Sequence, residues 1–226
     1  MGKKIVRQNL SAQLYENLRL SLMNGQYEPG QRLTIAGLAE EYGTSITPVR
    51  EAIFQLVSER ALEMRAATSI FVPRFDTRQL MDIQAVRFEL EGRAAYEAAG
   101  RITPDEIAHL RDLHMRFVDA AKIDAAAASI LNRDFHFALL RMSGMPILEG
   151  VCENMWTLIG PFLRMFHIRM PLRDIIADDH KHNDLMAALE AGDRERSRLA
   201  IQEDILWAES LIRRMGDDLE NAASND

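Results

Sequence analysis

The chain has 226 residues, of which 47% are hydrophobic, 27% are charged and one is cysteine, and its net charge is −7. This composition supports real hydrophobic cores in one or two domains, and no run approaches the roughly 20 consecutive apolar residues of a membrane span. Because no secretory signal pattern opens the chain and the single Cys152 cannot form an internal disulfide, a cytoplasmic protein is predicted.

The charge is divided unequally along the chain. Residues 1–75 carry nine lysines and arginines against seven acids, whereas the remainder carries 18 against 27. A mildly basic segment on an acidic body is compatible with specific binding of DNA. It predicts weak non-specific affinity, since the phosphate contribution grows with the number of cationic contacts.

The first predicted element is a helix marked by Leu14, Leu18 and Leu22, which ends near Gly25. A Pro-Gly turn at 27–31 leads out of it. Two short helices are then predicted around a tight turn. Their start and end signals are Thr34 as N-cap, Gly43 at the first helix end, and Ser45 as the second N-cap, followed by a tolerable Pro48 in the first turn.

The second of these helices has two distinct faces. Val49, Ala52, Ile53 and Leu56 recur at spacings of three and four and face inward, while Ile46, Thr47 and Arg50 fall on the opposite side. This is helix-turn-helix geometry, in which the second helix presents its N-terminal residues to the major groove of DNA. Two helices around a glycine turn also occur in many proteins without that function.

Two β-rich runs, 61–65 and 69–75, follow around Ala66, Ala67 and Thr68 and predict a small hairpin wing. A helix-turn-helix with a wing is a much less common pattern than either part alone. We therefore favour a DNA-binding domain over residues 1–75.

Residues in this segment resemble the winged-helix domain of GntR-type bacterial transcriptional regulators. The resemblance is carried by Asn24-Gly25, Pro29-Gly30, Arg32-Leu33, Leu38-Ala39-Glu40 and the block 47–53, TPVREAI. It implies operator DNA as the partner and contacts from Arg32, Ser45, Ile46, Thr47, Arg50, Thr68 and Ser69. The chain departs from the family where Ile46 replaces the usual Arg and Ser69 replaces a wing glycine.

From Asp76 onward the pattern is helical throughout. Helices are predicted at 77–99, with Leu80, Ile83, Val86 and Leu90 on the inner stripe, and then at 104–121, 124–142, 146–170, 172–189 and 193–215. The predicted fold is therefore mainly α: an N-terminal winged helix-turn-helix at 1–75, an antiparallel six-helix bundle at 76–216, and a polar tail at 217–226.

Polar residues in the bundle form one constellation. Asn132 and His136 lie four apart and share a helix face, and Asp204 has apolar neighbours. His180 and His182, placed on one predicted helix, point in nearly opposite directions, so at most one faces inward. Such groups form either a metal site or a set of buried polar side chains with partners.

A second resemblance covers roughly residues 78–215, to the helical ligand-binding domain of the fatty-acid-regulator-like branch of the same family. It is carried by Arg87 with Leu90-Glu91, by Asn132-x-x-Phe135-His136, and by His182 before Gly192-Asp193. The resemblance implies a divalent metal (zinc, nickel or manganese) on Asn132, His136, His182 and Asp204, where Asp204 stands in place of a family histidine. It also implies a small organic acid as effector.

Arg87 has two interpretations. In the first, it forms an ion pair with Glu91, four residues later on the same helix, and such a pair stabilises an exposed helix by only tenths of a kcal/mol. Alternatively, its planar guanidinium binds the carboxylate of the effector.

Two other classes remain as alternatives, a metal-dependent enzyme and a ligand-free dimerising adaptor. Glu106-x-x-His109 has the spacing of di-iron carboxylate enzymes, but the bundle sequence has no second such motif, and His109 and His114 are expected on a solvated face. We therefore predict a non-enzymatic, homodimeric transcriptional regulator whose operator binding responds to the effector. A repressor is favoured, and an activator is the alternative that the sequence leaves open.

Overall fold

The computed structural model describes residues 10–65, 69–169, 180–209 and 212–213. The N-terminal part contains α1 (Leu10–Met23), β1 (Arg32–Leu33), α2 (Ile35–Glu41), α3 (Ile46–Ser58), β2 (Glu63–Met64) and β3 (Ile70–Phe71). The predicted helix-turn-helix is confirmed as α2 and α3. None of the described helices is both long enough and apolar enough to cross a membrane.

Local signals account for the turn between α2 and α3. The hydroxyl of Thr34 accepts a hydrogen bond from the amide of Gly37 at 3.1 Å, which caps α2. Gly43 has a φ of 60°, a left-handed conformation that costs glycine little. Ser45 lies at the N-cap of α3, but its side chain makes no capping hydrogen bond, contrary to the predicted role.

The wing is part of a three-stranded antiparallel sheet in the order β1-β3-β2, with Arg32 opposite Phe71 and Met64 opposite Ile70. The two wing runs were predicted; β1 was not, because two residues after a turn leave no alternating pattern. Ala66, Ala67 and Thr68 lie outside the described residues. Inward residues of α3, including Val49, Ile53 and Leu56, pack with α1 and the sheet in one core.

The C-terminal part contains α4 (Thr77–Ala99), α5 (Pro104–Ala121), α6 (Ala125–Met142), α7 (Pro146–Arg169), α8 (Lys181–Glu190) and α9 (Arg194–Trp207). The mainly helical fold class is thereby confirmed. The predicted helix 172–189 and the ends of those predicted to reach Met170 and Met215 lie partly outside the described residues, and the tail 217–226 lies wholly outside them. The domain boundary near residue 75 stays a prediction; α4 starts two residues beyond it.

The inner face of α4 differs from the predicted stripe. Leu80 and Ile83 are buried, but Val86 is exposed and Leu90 is only half-buried. The stripe that faces the bundle continues instead through polar residues, namely Gln84, Arg87 and Glu91, before the alanines near the helix end. A search for apolar periodicity could not find this stripe, because its inward side chains are the polar residues of the candidate site.

The two parts meet where α1 crosses α7. A side chain at Gly160 would overlap the backbone of Leu22 and Met23, so only glycine lets these helices approach so closely. The guanidinium of Arg164 donates to the carbonyl of Gly25 at 3.0 Å, and Arg19 pairs with Glu153 at 2.9 Å. The bundle therefore contacts the DNA-binding part through α1.

Candidate metal centre and nucleic-acid interface

The buried polar stripe of α4 forms the floor of the candidate site. Arg87 donates through Nε to Glu91 at 2.7 Å and through Nη1 to Gln84 at 2.9 Å. Its guanidinium also lies over the ring of Trp156, 4.2 Å from the centroid. The first interpretation of Arg87, a pair with Glu91, is thus observed, although both partners are buried rather than exposed.

Glu91 connects Arg87 to Trp156 and His136. Its Oε1 also accepts from the indole of Trp156 at 3.1 Å, and its Oε2 lies 2.6 Å from Nδ1 of His136. Burial alone would raise the pKa of Glu91, but the Arg87 guanidinium and then His136 lower it. A Glu91 carboxylate therefore holds Nδ1 of His136 as the protonated nitrogen and directs Nε2 away.

Nε2 of His136 and Nε2 of His182 both approach the carboxylate of Asp204. The distances are 3.2 Å to Oδ2 and 3.7 Å to Oδ1, respectively. Burial alone would lower the pKa of His136, but Glu91 and Asp204 raise it to about 9. Burial would likewise raise the pKa of Asp204, and the imidazoles of His182 and His136 hold it below its usual range.

His182 is fully buried and stacks on Phe135 with ring centroids 3.8 Å apart. Burial lowers the pKa of His182 well below its ordinary value, so the ring is neutral at pH 7. Its Nδ1 lies 3.2 Å from Nδ1 of His114. Its Nε2 is the buried side-chain nitrogen for which the described residues supply no hydrogen-bond partner.

Two sequence expectations about histidines are wrong. His180 is not on a helix: it is the N-cap of α8, so the helical projection that turned it away from His182 does not apply, and the two rings lie 4.5 Å apart. His114 is buried, not solvated, because it follows Leu110 by four residues and precedes Phe117 by three on the inner face of α5. That spacing was the signal that could have identified it.

A cavity of about 310 Å³ opens onto these groups. Asn132 lies on its wall, one turn before His136 as the spacing predicted, and Phe166 and Trp207 contribute apolar surface. The polar residues on the wall include Gln84, Arg87, Asn132, His136, His180 and Asp204.

His136 and Asp204 on the cavity wall and the fully buried His182, which is not on the wall, form a donor set suited to a divalent metal ion. One ligand atom each of His136, His182 and Asp204 lie within 4.8 Å of one another, and two imidazoles with a carboxylate are common ligands of zinc and related ions. Nε2 of His182 is a buried polar atom without a hydrogen-bond partner among the described residues, and an ion bound to its lone pair would supply that partner. Asn132 could add an amide oxygen from the same helix as His136.

The candidate DNA-contacting residues lie on the exposed side of the N-terminal part. Ser45, Ile46, Thr47 and Arg50 are all exposed at the start of α3. Arg32 is exposed on β1 and donates to the hydroxyl of Ser69 at 3.3 Å, which ties the first strand to the wing. The backbone of the wing closes through a hydrogen bond from the Arg65 amide to the Ser69 carbonyl at 2.8 Å; Thr68 lies outside the described residues.

The di-iron spacing at Glu106 and His109 does not form a site in the described structure. Glu106 belongs to a capping box, in which its carboxylate accepts from the amide of Thr103 at 2.8 Å. His109 is exposed on the outer face of α5. Glu106 therefore caps the start of α5, and His109 lies on its solvent-exposed face.

Comparison with known proteins agrees with both halves of this description. Residues 10–72 match the domain described as "Bacterial regulatory proteins, gntR family", and residues 82–206 match the FCD domain. The chain is 35% identical over 201 residues to the HTH-type transcriptional regulator McbR of Escherichia coli K12, covering 88% of this chain and 91% of that protein. It is 33% identical over 117 residues to the Nta operon transcriptional regulator of Aminobacter aminovorans, covering 52% of this chain and 56% of that protein.

The solved structure of E. coli McbR/YncC superposes with a TM-score of 0.84 at 34% identity, covering 91% of this chain and 98% of that one. The two domain matches, the identity to McbR and this superposition extend over both the winged helix-turn-helix and the bundle. The chain therefore belongs to the GntR family of bacterial transcriptional regulators, with an FCD domain as its helical bundle.

Proposed function

We propose that the FCD domain binds a divalent metal ion through His136, His182 and Asp204, with Asn132 as a further oxygen ligand, and that the ion takes part in sensing a small organic acid. The observation that carries the proposal is the buried Nε2 of His182, which has no hydrogen-bond partner among the described residues and lies 3.7 Å from Asp204. The ion would supply a positive charge for a ligand in the cavity.

The composition of the set bears on which ion it prefers. Binding of the ion would displace the proton from Nε2 of His136. Two neutral imidazoles, one amide oxygen and one carboxylate then carry a single formal negative charge and are harder than a three-histidine set. Zinc, nickel and manganese all accept such ligands, and the exchange of a family histidine for Asp204 moves the preference toward manganese.

Arg87 supports an anionic ligand for the same cavity. Its Nε and Nη1 are held by Glu91 and Gln84, and among the described residues Nη2 has no hydrogen-bond partner. Arg87 lies on the cavity wall, so its Nη2 donors would bind a ligand there. A carboxylate is the complementary group, because guanidinium donors make short, charge-assisted hydrogen bonds to it.

The output of this sensing is proposed to be repression by a homodimer. Two copies would place two α3 helices on the half-sites of a near-palindromic operator, so that protein and DNA share a two-fold axis. Effector binding would change operator affinity only if the effector binds the DNA-bound and free arrangements unequally. In this proposal the bundle binds its organic acid without turning it over.

The metal is tested by titrating zinc and manganese into metal-stripped protein and its variants. His136→Ala and His182→Ala should each abolish retention of the ion, whereas His109→Ala, which removes an exposed histidine, should not. Asp204→His should raise zinc affinity above that of the natural chain, because it completes a three-imidazole set. Unchanged zinc binding in both His136→Ala and His182→Ala would disprove this ligand set.

A further inference from the structure

The contact between His114 on α5 and His182 on α8 is not part of the proposed ligand set. The two Nδ1 atoms lie 3.2 Å apart, and both residues are buried. Two ring nitrogens can hydrogen-bond only when one carries a proton and the other offers a lone pair. The position of that single proton decides which nitrogen of His182 can bind an ion.

A neutral imidazole has one N–H and one lone pair. With the ion on Nε2 of His182, the lone pair is there, and the proton must be on Nδ1. Nδ1 is then a donor inside the protein and requires an acceptor, because a buried donor without a hydrogen bond is unfavourable. Nδ1 of His114 is the acceptor at hydrogen-bond distance.

We infer that His114 is a positioning residue of this metal site: it accepts the hydrogen bond from Nδ1 of His182 and thereby turns the lone pair of Nε2 toward the ion. The inference rests on the proposed metal site. It gives both ligand imidazoles the same support, since His136 donates through its own Nδ1 to Glu91 at 2.6 Å. Metal-bound histidines commonly have their other ring nitrogen held by an acceptor in this way.

The same histidines offer a competing arrangement, an ion held by His114, His180 and His182, whose ligand atoms also lie within 4.8 Å of one another. The geometry argues against it. Nδ1 of His180 accepts the hydrogen bond from the backbone amide of His182 at 3.2 Å, so its lone pair is already used to cap α8. An ion there would also require the lone pair of His182 on Nδ1 and leave Nε2 protonated without a hydrogen-bond partner.

Two variants of similar size separate acceptance of the hydrogen bond from packing. His114→Asn keeps an acceptor oxygen at the δ position, where the ring has Nδ1, and His114→Leu places a methyl group there. His109→Leu, an exposed position on the same helix, controls for the loss of a histidine. Each full-length protein is stripped of metal and titrated with zinc alone, and its melting temperature is recorded.

His114→Leu should bind zinc about 10- to 100-fold more weakly, the usual effect of removing an outer partner of a metal ligand. His114→Asn should remain close to the natural chain, as should His109→Leu. Equal losses in the Asn and Leu variants would overturn the inference, because packing and not hydrogen bonding would then explain the effect. Zinc affinity unchanged in His114→Leu would also overturn it.

The proton itself can be located in the zinc-loaded protein labelled with ¹⁵N-histidine. The expected spectrum shows a proton on Nδ1 of His182 with scalar coupling across the hydrogen bond to Nδ1 of His114. A proton on Nδ1 of His114 instead would overturn the inference, as would loss of zinc in His180→Ala as complete as in His182→Ala. If zinc binds without His136 and His182, the proposed metal site fails as well; if those variants lose zinc and only His114→Leu does not, the inference fails alone.

Discussion

Burial determines what the Arg87–Glu91 pair contributes. On an exposed helix face, two such residues four apart would stabilise the fold by only about 0.2–0.5 kcal/mol. Here both side chains are buried. Removal of Glu91 would leave the Arg87 guanidinium without an opposite charge, and removal of Arg87 would leave Glu91 with His136 as its charged partner, so either change should cost up to about 3–5 kcal/mol. Substitution of Arg87 therefore tests folding as well as effector binding, and an assay of its role needs the unfolding midpoint beside the affinity.

Ile46 is an apolar residue on the exposed face of α3. It is 49% exposed at the start of the helix, where the resemblance to the family leads us to expect an arginine. Ile46→Arg should tighten DNA binding and steepen the log–log dependence of affinity on salt by about 0.9 for one new phosphate contact. Binding is measured by fluorescence anisotropy at several salt concentrations, on an operator selected from a random library.

Ile147→Arg is the matched control, because Ile147 is 83% exposed at the start of α7 and the change adds the same charge to the bundle. The control should leave the salt slope unchanged. An equal slope for the natural chain and Ile46→Arg would show that residue 46 does not face the phosphates.

Most of the proposed metal ligands could be predicted from the sequence, but the residues that contact and orient them could not. His136, His182 and Asp204 were chosen from spacing and resemblance, and the structure brings them together. His114 and Trp156 were missed, since each is a single residue on another helix whose approach depends on tertiary packing. His180 was misplaced because the prediction began its helix several residues too early.

Among the elements, the helix starts that have a strong local capping signal were well predicted. Thr103 with Pro104 and Asp124 mark the starts of α5 and α6 through local hydrogen bonds, which depend on neighbours in sequence. The inner face of α4 was less predictable, because its buried Gln84 and Glu91 are stabilised by partners from α7, α9 and α6. A polar residue faces the interior only when such partners exist, and one sequence does not reveal them.

Gly160 offers a test of the crossing between α1 and α7. Gly160→Ala adds a methyl group against the backbone of Leu22 and Met23 and should destabilise the protein by about 1–3 kcal/mol, the usual cost of overpacking. Gly150→Ala lies on the same helix, exposed, with none of the described residues within 4 Å of the new methyl group. It should instead stabilise α7 by up to about 1 kcal/mol.

Urea unfolding followed by circular dichroism measures both variants. A Gly160→Ala protein as stable as Gly150→Ala would mean that α1 does not pack closely on α7. The DNA-binding part and the bundle would then not be held at this crossing.

For the whole molecule, a continuous set of contacts runs from the metal site to the DNA-binding part. His136 contacts Glu91, and Glu91 accepts from Trp156 on α7, the helix that carries Gly160 and Arg164. Arg164 then donates to the carbonyl of Gly25, just beyond α1. These contacts provide a physical route by which occupancy of the site could bias the placement of α1.

Thermodynamic linkage makes any coupling between the metal site and the DNA-binding surface reciprocal. If zinc changes operator affinity by some factor, operator DNA must change zinc affinity by the same factor, typically about 5- to 150-fold. Arg164→Met removes the hydrogen bond to Gly25 and keeps the aliphatic stem, so it should reduce both factors toward one while leaving zinc affinity without DNA unchanged. Arg93→Met, at an exposed arginine of α4, should preserve them.

Zinc titrations with and without operator DNA measure the effect of DNA on zinc affinity, and operator titrations with and without zinc measure the effect of zinc on operator affinity. Full coupling in Arg164→Met would exclude the contact between Arg164 and Gly25 as the route.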